Sequence, residues 1–135
     1  MREILFRGKR TDNGEWVYGS LVYWPGDNEI GTIVVFEAED EAGFILGEHV
    51  GVDLSTVGQY TGITDKNGKK IFEGDILDLP RWYVAYCGDL SGGLGMNAGW
   101  YHVRDNFESW GELECNRDHK IIGNIYDNPE LIERR

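Results

Sequence analysis

Apolar and polar positions alternate along most of this chain, while the 3.6-residue recurrence of an amphipathic helix is hard to find. Residues 3–7 read as a first strand and residues 15–24 as a second, joined through the turn Thr11-Asp-Asn-Gly14. Pro25-Gly-Asp-Asn28 closes the second strand, residues 32–36 form a β-branched third, and residues 44–46 are a candidate fourth. Residues 37–43, between the last two, read as an exposed acidic loop. Asp53-Leu-Ser-Thr56 has the composition of a turn or a single helical turn, after which Val57 resumes extended structure.

The next pattern is a second hairpin, with a strand around Gln59-Tyr60-Thr61, a turn at Asp65-Lys-Asn-Gly68 and a return over residues 70–73. Gly74-Asp75 redirects the chain into residues 76–79, and Pro80 ends or edges that strand. Residues 82–86, 100–103 and 120–126 complete the strands, and residues 88–99, rich in glycine, are expected to form a mobile loop. At the end, Asn128-Pro-Glu-Leu-Ile132 has the N-cap, first-position proline and early acid of one helical turn, expected to dock Leu131 and Ile132. The two hairpin turns can be laid over one another as residues 11–21 and 64–76; convergence on good turn residues explains this more readily than duplication.

Composition makes a packed core feasible. The 135 residues are 41% hydrophobic and include 5 Trp, 7 Tyr and 5 Phe, and 19 glycines against 3 prolines suit many tight turns. That length fits one domain or two very small β modules. Cys87 and Cys115 have no CxxC neighbour and no His at ligand spacing, so they read as two small apolar side chains in a reducing cytoplasm. Neither a secretory apolar run nor a membrane-length apolar stretch is seen, so a soluble cytoplasmic protein is expected.

Charge is unevenly placed. Of 24 acids and 13 bases, residues 11–65 hold 11 acids and no Lys or Arg, so this segment carries the whole excess of −11. It should repel nucleic acid and anionic membranes; a solvated acidic face is the commoner meaning of such a run, and a basic partner the alternative.

Three blocks carry a family resemblance. Val57-Gly-Gln-Tyr-Thr-Gly-Ile-Thr-Asp-Lys-Asn-Gly-Lys-Lys-Ile-Phe-Glu-Gly-Asp-Ile76, Ile122-Gly-Asn-Ile-Tyr-Asp-Asn-Pro-Glu-Leu131 and the opening Met1-Arg-Glu-Ile-Leu-Phe-Arg7 are similar to the YopX family of bacteriophage and prophage proteins. Residues 27–50 and 81–117 match it poorly. The resemblance implies a mainly β protein whose second half, residues 57–135, is an SH3-like barrel; the acidic residues 1–56 are expected as an N-terminal β-hairpin region packed on it. It implies no activity.

Candidate chemistry is sparse. Gln59, Tyr60, Thr61, Glu73 and Asp75 are the motif residues first suspected of binding, and Glu73 with Asp75 would share a strand face as a carboxylate pair for a small hydrolase. A structural role fits them better: Gly74 supplying an unusual backbone angle and Asp75 an Asx-type hydrogen bond. His49, His102 and His119 are scattered, which argues against a metal; Asp65-Lys-Asn-Gly68 lacks the remaining oxygens of a calcium loop, and Gly92-Gly-Leu-Gly95 is no dinucleotide fingerprint. Trp82 and Trp100, with Tyr83, Tyr86 and Tyr101, are candidates for a binding surface, with a core or subunit-interface role preferred over base stacking. The expectation is a non-enzymatic protein without cofactor that binds a protein partner or forms a homo-oligomer, with an acidic decoy of a nucleic-acid-binding host protein as the alternative.

Overall fold

Among the described residues of the computed structural model, ten strands and a 3-10 turn account for nearly all regular structure. Those residues are 3–23, 26, 29–39, 41, 45–79, 81–87, 99–104, 108–113 and 119–133, with only the backbone described for 36–39, 45, 46 and 87. The chain is mainly β, in two antiparallel sheets, and divides into two compact units, Met1–Tyr60 and Thr61–Arg135.

The first unit holds β1 (Phe6–Arg10), β2 (Trp16–Val22), β3 (Ile30–Glu39) and most of β4 (Ile45–Thr64). The Thr11–Gly14 turn forms as its residues dictate: Gly14 takes φ +73, Gly14 N donates to Arg10 O at 3.0 Å, and Arg10 N donates to Glu15 O at 2.9 Å. Each of these four strands pairs antiparallel with the next, and β4 pairs back with β1, so the ladder closes on itself. Closure crowds the interior, where Ile33, Val50 and Val52 are buried. At Gly19 a Cβ would stand 2.1 Å from the Val34 carbonyl oxygen, so the approach of β2 to β3 leaves room for a hydrogen and nothing larger.

Two expectations fail here. Residues 37–39 continue β3 instead of opening a loop, and residues 53–56 do not interrupt the chain, because β4 runs unbroken for 20 residues. The turn chemistry of Asp53 is nevertheless present. Its Oδ1 accepts from Ser55 N at 3.0 Å and from Ser55 Oγ at 2.8 Å, while Thr56 Oγ1 donates to Asp53 O at 2.6 Å and accepts from Lys9 N at 2.9 Å. Those local bonds produce a bulge instead of a break. Arg7 lies opposite Gly58 and Lys9 opposite Asp53, so β4 fits three more residues than β1 into the same interval.

In the second unit the end of β4 turns through 65–69 into β5 (Lys70–Phe72). A five-stranded sheet follows, in the order β10-β6-β7-β8-β9, from β6 (Asp75–Leu77), β7 (Tyr83–Cys87), β8 (Gly99–Arg104), β9 (Ser109–Glu112) and β10 (Ile121–Asn124). Strand β9 has no counterpart in the sequence reading. Ile71, Leu77, Val84 and Leu113 form the core, with Ile63, Trp100 and Ile121 against it. On the other face of β8, Tyr101 and Val103 pack with Tyr83 and Ala85. The pairing describes an open ladder, edged by β10 and β9, and does not define the SH3-like barrel expected of this half.

The tail also differs from expectation. Residues Pro129–Leu131 form a 3-10 turn, but none of its residues is buried and Leu131 is 37% exposed. Asn128 makes no cap; its Oδ1 accepts from Asn124 N at 3.2 Å, which closes the preceding turn. Pro80, Cys115, residues 88–98 of the glycine-rich loop and the candidate strand residue Phe44 lie outside the described residues. No helix among the described residues is long and apolar enough to cross a membrane.

Candidate functional site

The first residues suspected of chemistry are engaged by the backbone. Thr61 is buried, and its Oγ1 donates to Ile71 O at 2.9 Å while accepting from Ile63 N at 3.1 Å, which ties β4 to β5. Gly74 adopts φ +90, donates to Val84 O at 2.8 Å and accepts from Ile125 N at 2.9 Å. Asp75 is 2% exposed and its Oδ2 accepts from Phe72 N at 2.7 Å. Glu73 is half-buried within the turn. Because the positive φ of Gly74 breaks the strand between them, the two carboxylates do not form the i, i+2 pair expected of a continuous strand.

Asp65 does more than shape its turn. It is 5% exposed, its Oδ1 accepts from Asn67 N and Lys69 N, each at 2.9 Å, and its Oδ2 accepts from Ile121 N at 3.0 Å. Burial pushes its pKa up, but the bonds from Ile121, Lys69 and Asn67 and the charge of Lys69 outweigh it, and the carboxyl ends below its usual range. Gln59 and Tyr60 belong to the first unit, where Gln59 lies opposite Phe6 and Tyr60 N donates to Leu5 O at 2.8 Å.

Trp82 gathers a cluster the sequence did not reveal. Its indole meets the His102 ring edge-on at 4.7 Å and lies under the Arg104 guanidinium at 4.9 Å, so its ring is occupied from within. It follows Arg81, which holds φ +66, a left-handed conformation uncommon for a side chain of that size. The His102 Nδ1 is buried with no hydrogen-bond partner among the described residues, and a Cβ on Gly111 would stand 2.2 Å from His102 Nε2. Burial, and then the charge of nearby His119, lower the His102 pKa. His119 in turn bonds through Nδ1 to Asp78 Oδ1 at 2.8 Å. Since a carboxylate only accepts, His119 Nδ1 is the donor of this bond. Asp78 itself is held below its usual range: its burial acts upward, and the bonds from His119 and Lys120 prevail.

His102 and His119 are 17 residues apart, and their partners Trp82 and Asp78 lie 20 and 41 residues away along the chain, so strand pairing is what brings each pair together. Among the described residues, no three His, Cys, Asp or Glu side chains gather as metal ligands do. Trp100 lies edge-on to Tyr86 at 5.1 Å and against the core of the second unit.

A cleft of about 610 Å³ opens in the first unit where the β4 bulge faces the β1–β2 hairpin, lined by Lys9, Arg10, Glu29, Ile30, Asp53 and Ser55 among others. Arg10 is gripped by Asp12, Nε to Oδ1 and Nη2 to Oδ2, both at 2.9 Å. That hydrogen-bonded pairing raises the Arg10 pKa and lowers that of Asp12. β1 and β2 also stack the Arg7 guanidinium at 4.7 Å and the Lys9 ammonium at 5.5 Å over the Trp16 ring.

Comparison with known proteins adds a fold and a family. A family model described as YopX protein matches residues 5–133. The crystal structure of protein EF1440 from Enterococcus faecalis superposes with a TM-score of 0.61 at 21% sequence identity, covering 98% of this chain and 100% of that one, which shows a shared fold. No curated protein matches the chain.

Proposed function

The chain belongs to the YopX family, and we propose that it is a phage- or prophage-encoded accessory protein that works by protein contact in a bacterial cytoplasm, without catalysing a reaction. The observation that carries this reading is the outward face of β2. Tyr18 and Val22 are 46% and 43% exposed on the same face, with Ser20 between them and Val34 of β3 opposite Ser20. Aromatic and branched side chains left on a sheet surface are characteristic of a contact surface. Light scattering of the protein and of a Y18E/V22E variant, at about tens of micromolar, tests the self-associating form. A species larger than one chain that the variant dissociates supports it; a strict monomer removes self-association and leaves a heterologous protein partner.

The exposed acids Glu29, Glu48 and Asp53 of the first unit favour a second reading, in which the acidic segment engages a basic, nucleic-acid-binding host protein. Capture that survives raised salt counts against it. A hydrolase using Glu73 and Asp75 has less support, since the Asp75 carboxylate is enclosed and bonded to Phe72 N. We also read the second unit as SH3-like, on its short antiparallel strands and the tight hairpin that precedes them.

A further inference from the structure

The β3–β4 hairpin outruns the strands on either side of it. β2 meets β3 through Val22, Leu21 and Ser20, the last opposite Val34, and β1 follows β4 only to Val52, with Thr11 N donating to Gly51 O at 3.1 Å. β3 and β4 nevertheless keep pairing from Val35 opposite Glu48 to Glu39 opposite Ile45. That stretch is a two-stranded ribbon with no third strand beside it among the described residues.

Its two edges differ. Along β3 the register shifts between Phe36 and Ala38, where Glu37 is the extra residue, and such a bulge blunts an edge. Along β4 the pairing is regular from Gly47 to Asp53. In an antiparallel ladder the N–H and C=O of alternate residues face the same side. Gly51 O faces β1, so the backbone groups of His49 and Gly47 face that way too, in line with β1 and past its end. Among the described residues nothing bonds to them. By contrast, along β10 the Ile121 N is taken by the Asp65 carboxylate.

An uncovered row of backbone donors and acceptors is a template for another strand, and charge decides whose. Residues 37–48 hold Glu37, Glu39, Asp40, Glu41 and Glu48 and no Lys or Arg. Glu48 is exposed; its charge reaches Arg10 at the end of β1, whose guanidinium Asp12 holds through two bonds. A second copy of this edge would set these acids against themselves. We propose that an extended, lysine- or arginine-rich segment of a partner protein adds to this edge as a further strand beside residues 47–51 of β4. The proposal rests on the protein-contact reading and supplies the place and chemistry of the partner.

The test is fluorescence anisotropy at about 50 mM salt, with a labelled peptide of about nine residues in which valine alternates with lysine or arginine. It is run beside the same peptide with its central backbone nitrogens methylated, and beside a version with glutamate for each base. Gly47 is left unchanged, because a Cβ there would stand 2.8 Å from Val35 O. The whole chain is compared with E48Q, H49T and H49P; the proline removes an N–H that faces away from β3, and thermal melts verify that each variant folds. Expected is saturable binding of the basic peptide alone. Methylation and H49P weaken it about tenfold or more, E48Q about two- to fivefold, and H49T less than about twofold. Equal binding of the methylated peptide, which needs no variant to fold, overturns the proposal, as does an H49P protein that binds like wild type. Association in light scattering that H49P abolishes, with no peptide bound, makes a second copy the occupant and overturns the basic partner. If the peptide fails while Y18E/V22E still dissociates a larger species, the edge assignment falls and the contact reading stands.

Discussion

Asp65 Oδ2 accepts a hydrogen bond from Ile121 N at 3.0 Å, joining a hairpin turn to a strand 56 residues later. With its other oxygen on Asn67 N and Lys69 N, this buried carboxylate satisfies three backbone donors. D65A should therefore cost about 3 kcal/mol, roughly 1 kcal/mol for each orphaned N–H, measured by urea denaturation. D65N should cost less, since it keeps an acceptor for the turn. A loss below about 1 kcal/mol for D65A would show the bond to β10 to be dispensable.

The same group dictates behaviour in acid. Because the folded-state pKa of Asp65 lies below its unfolded value, the unfolded chain takes up this proton first as pH falls. The stability it contributes is present above the ordinary aspartate range, about 4, and is lost as pH falls through the folded value. Denaturation midpoints of wild type and D65N should converge on acidification; parallel curves would remove Asp65 as the cause.

His102 acts one step higher in pH. Its folded-state pKa is depressed, first by burial and then by His119, so neutral His102 is compatible with the fold while protonation favours the unfolded chain. The sign is the same as for Asp65: stability is level above about 6.5 and declines below it. In H102Q that decline should be shallower. Proton NMR titration of the two imidazoles, with Trp82 fluorescence as the local reporter, checks the assignment; an ordinary His102 titration would refute it.

Two glycines should respond very differently from a surface position. G19A would drive a Cβ into the Val34 carbonyl inside a closed ladder, where backbone cannot yield, and should cost more than about 3 kcal/mol or prevent folding. G74A combines φ +90 with a 3.0 Å approach to Tyr126 Cε2, and should cost about 1–3 kcal/mol. Melting temperatures measured beside E41Q, an exposed substitution expected within about 0.5 kcal/mol of wild type, rank the three.

Local chemistry made much of the framework legible. Asp-Asn-Gly and Asp-Lys-Asn-Gly fall where hairpins turn, Gly74 takes its positive φ, and Asp75 bonds Phe72 N, because each of these preferences operates within a few residues. Asp53 shows where that reasoning stops. Its side chain makes the expected turn bonds, yet pairing with β3 and with β1 keeps the backbone extended and converts the turn to a bulge.

The chain's own residue order thus determined a mainly β protein, its hairpin turns and the location of its acid excess, since these follow from alternation, turn propensity and counting. Only the folded arrangement decided the closure of β1 to β4, the Asp65–Ile121 bond and the meeting of Trp82, His102, Arg104, His119 and Asp78. Those depend on which strands become neighbours and in what register, and register is fixed by side chains dozens of residues apart competing for the same interior.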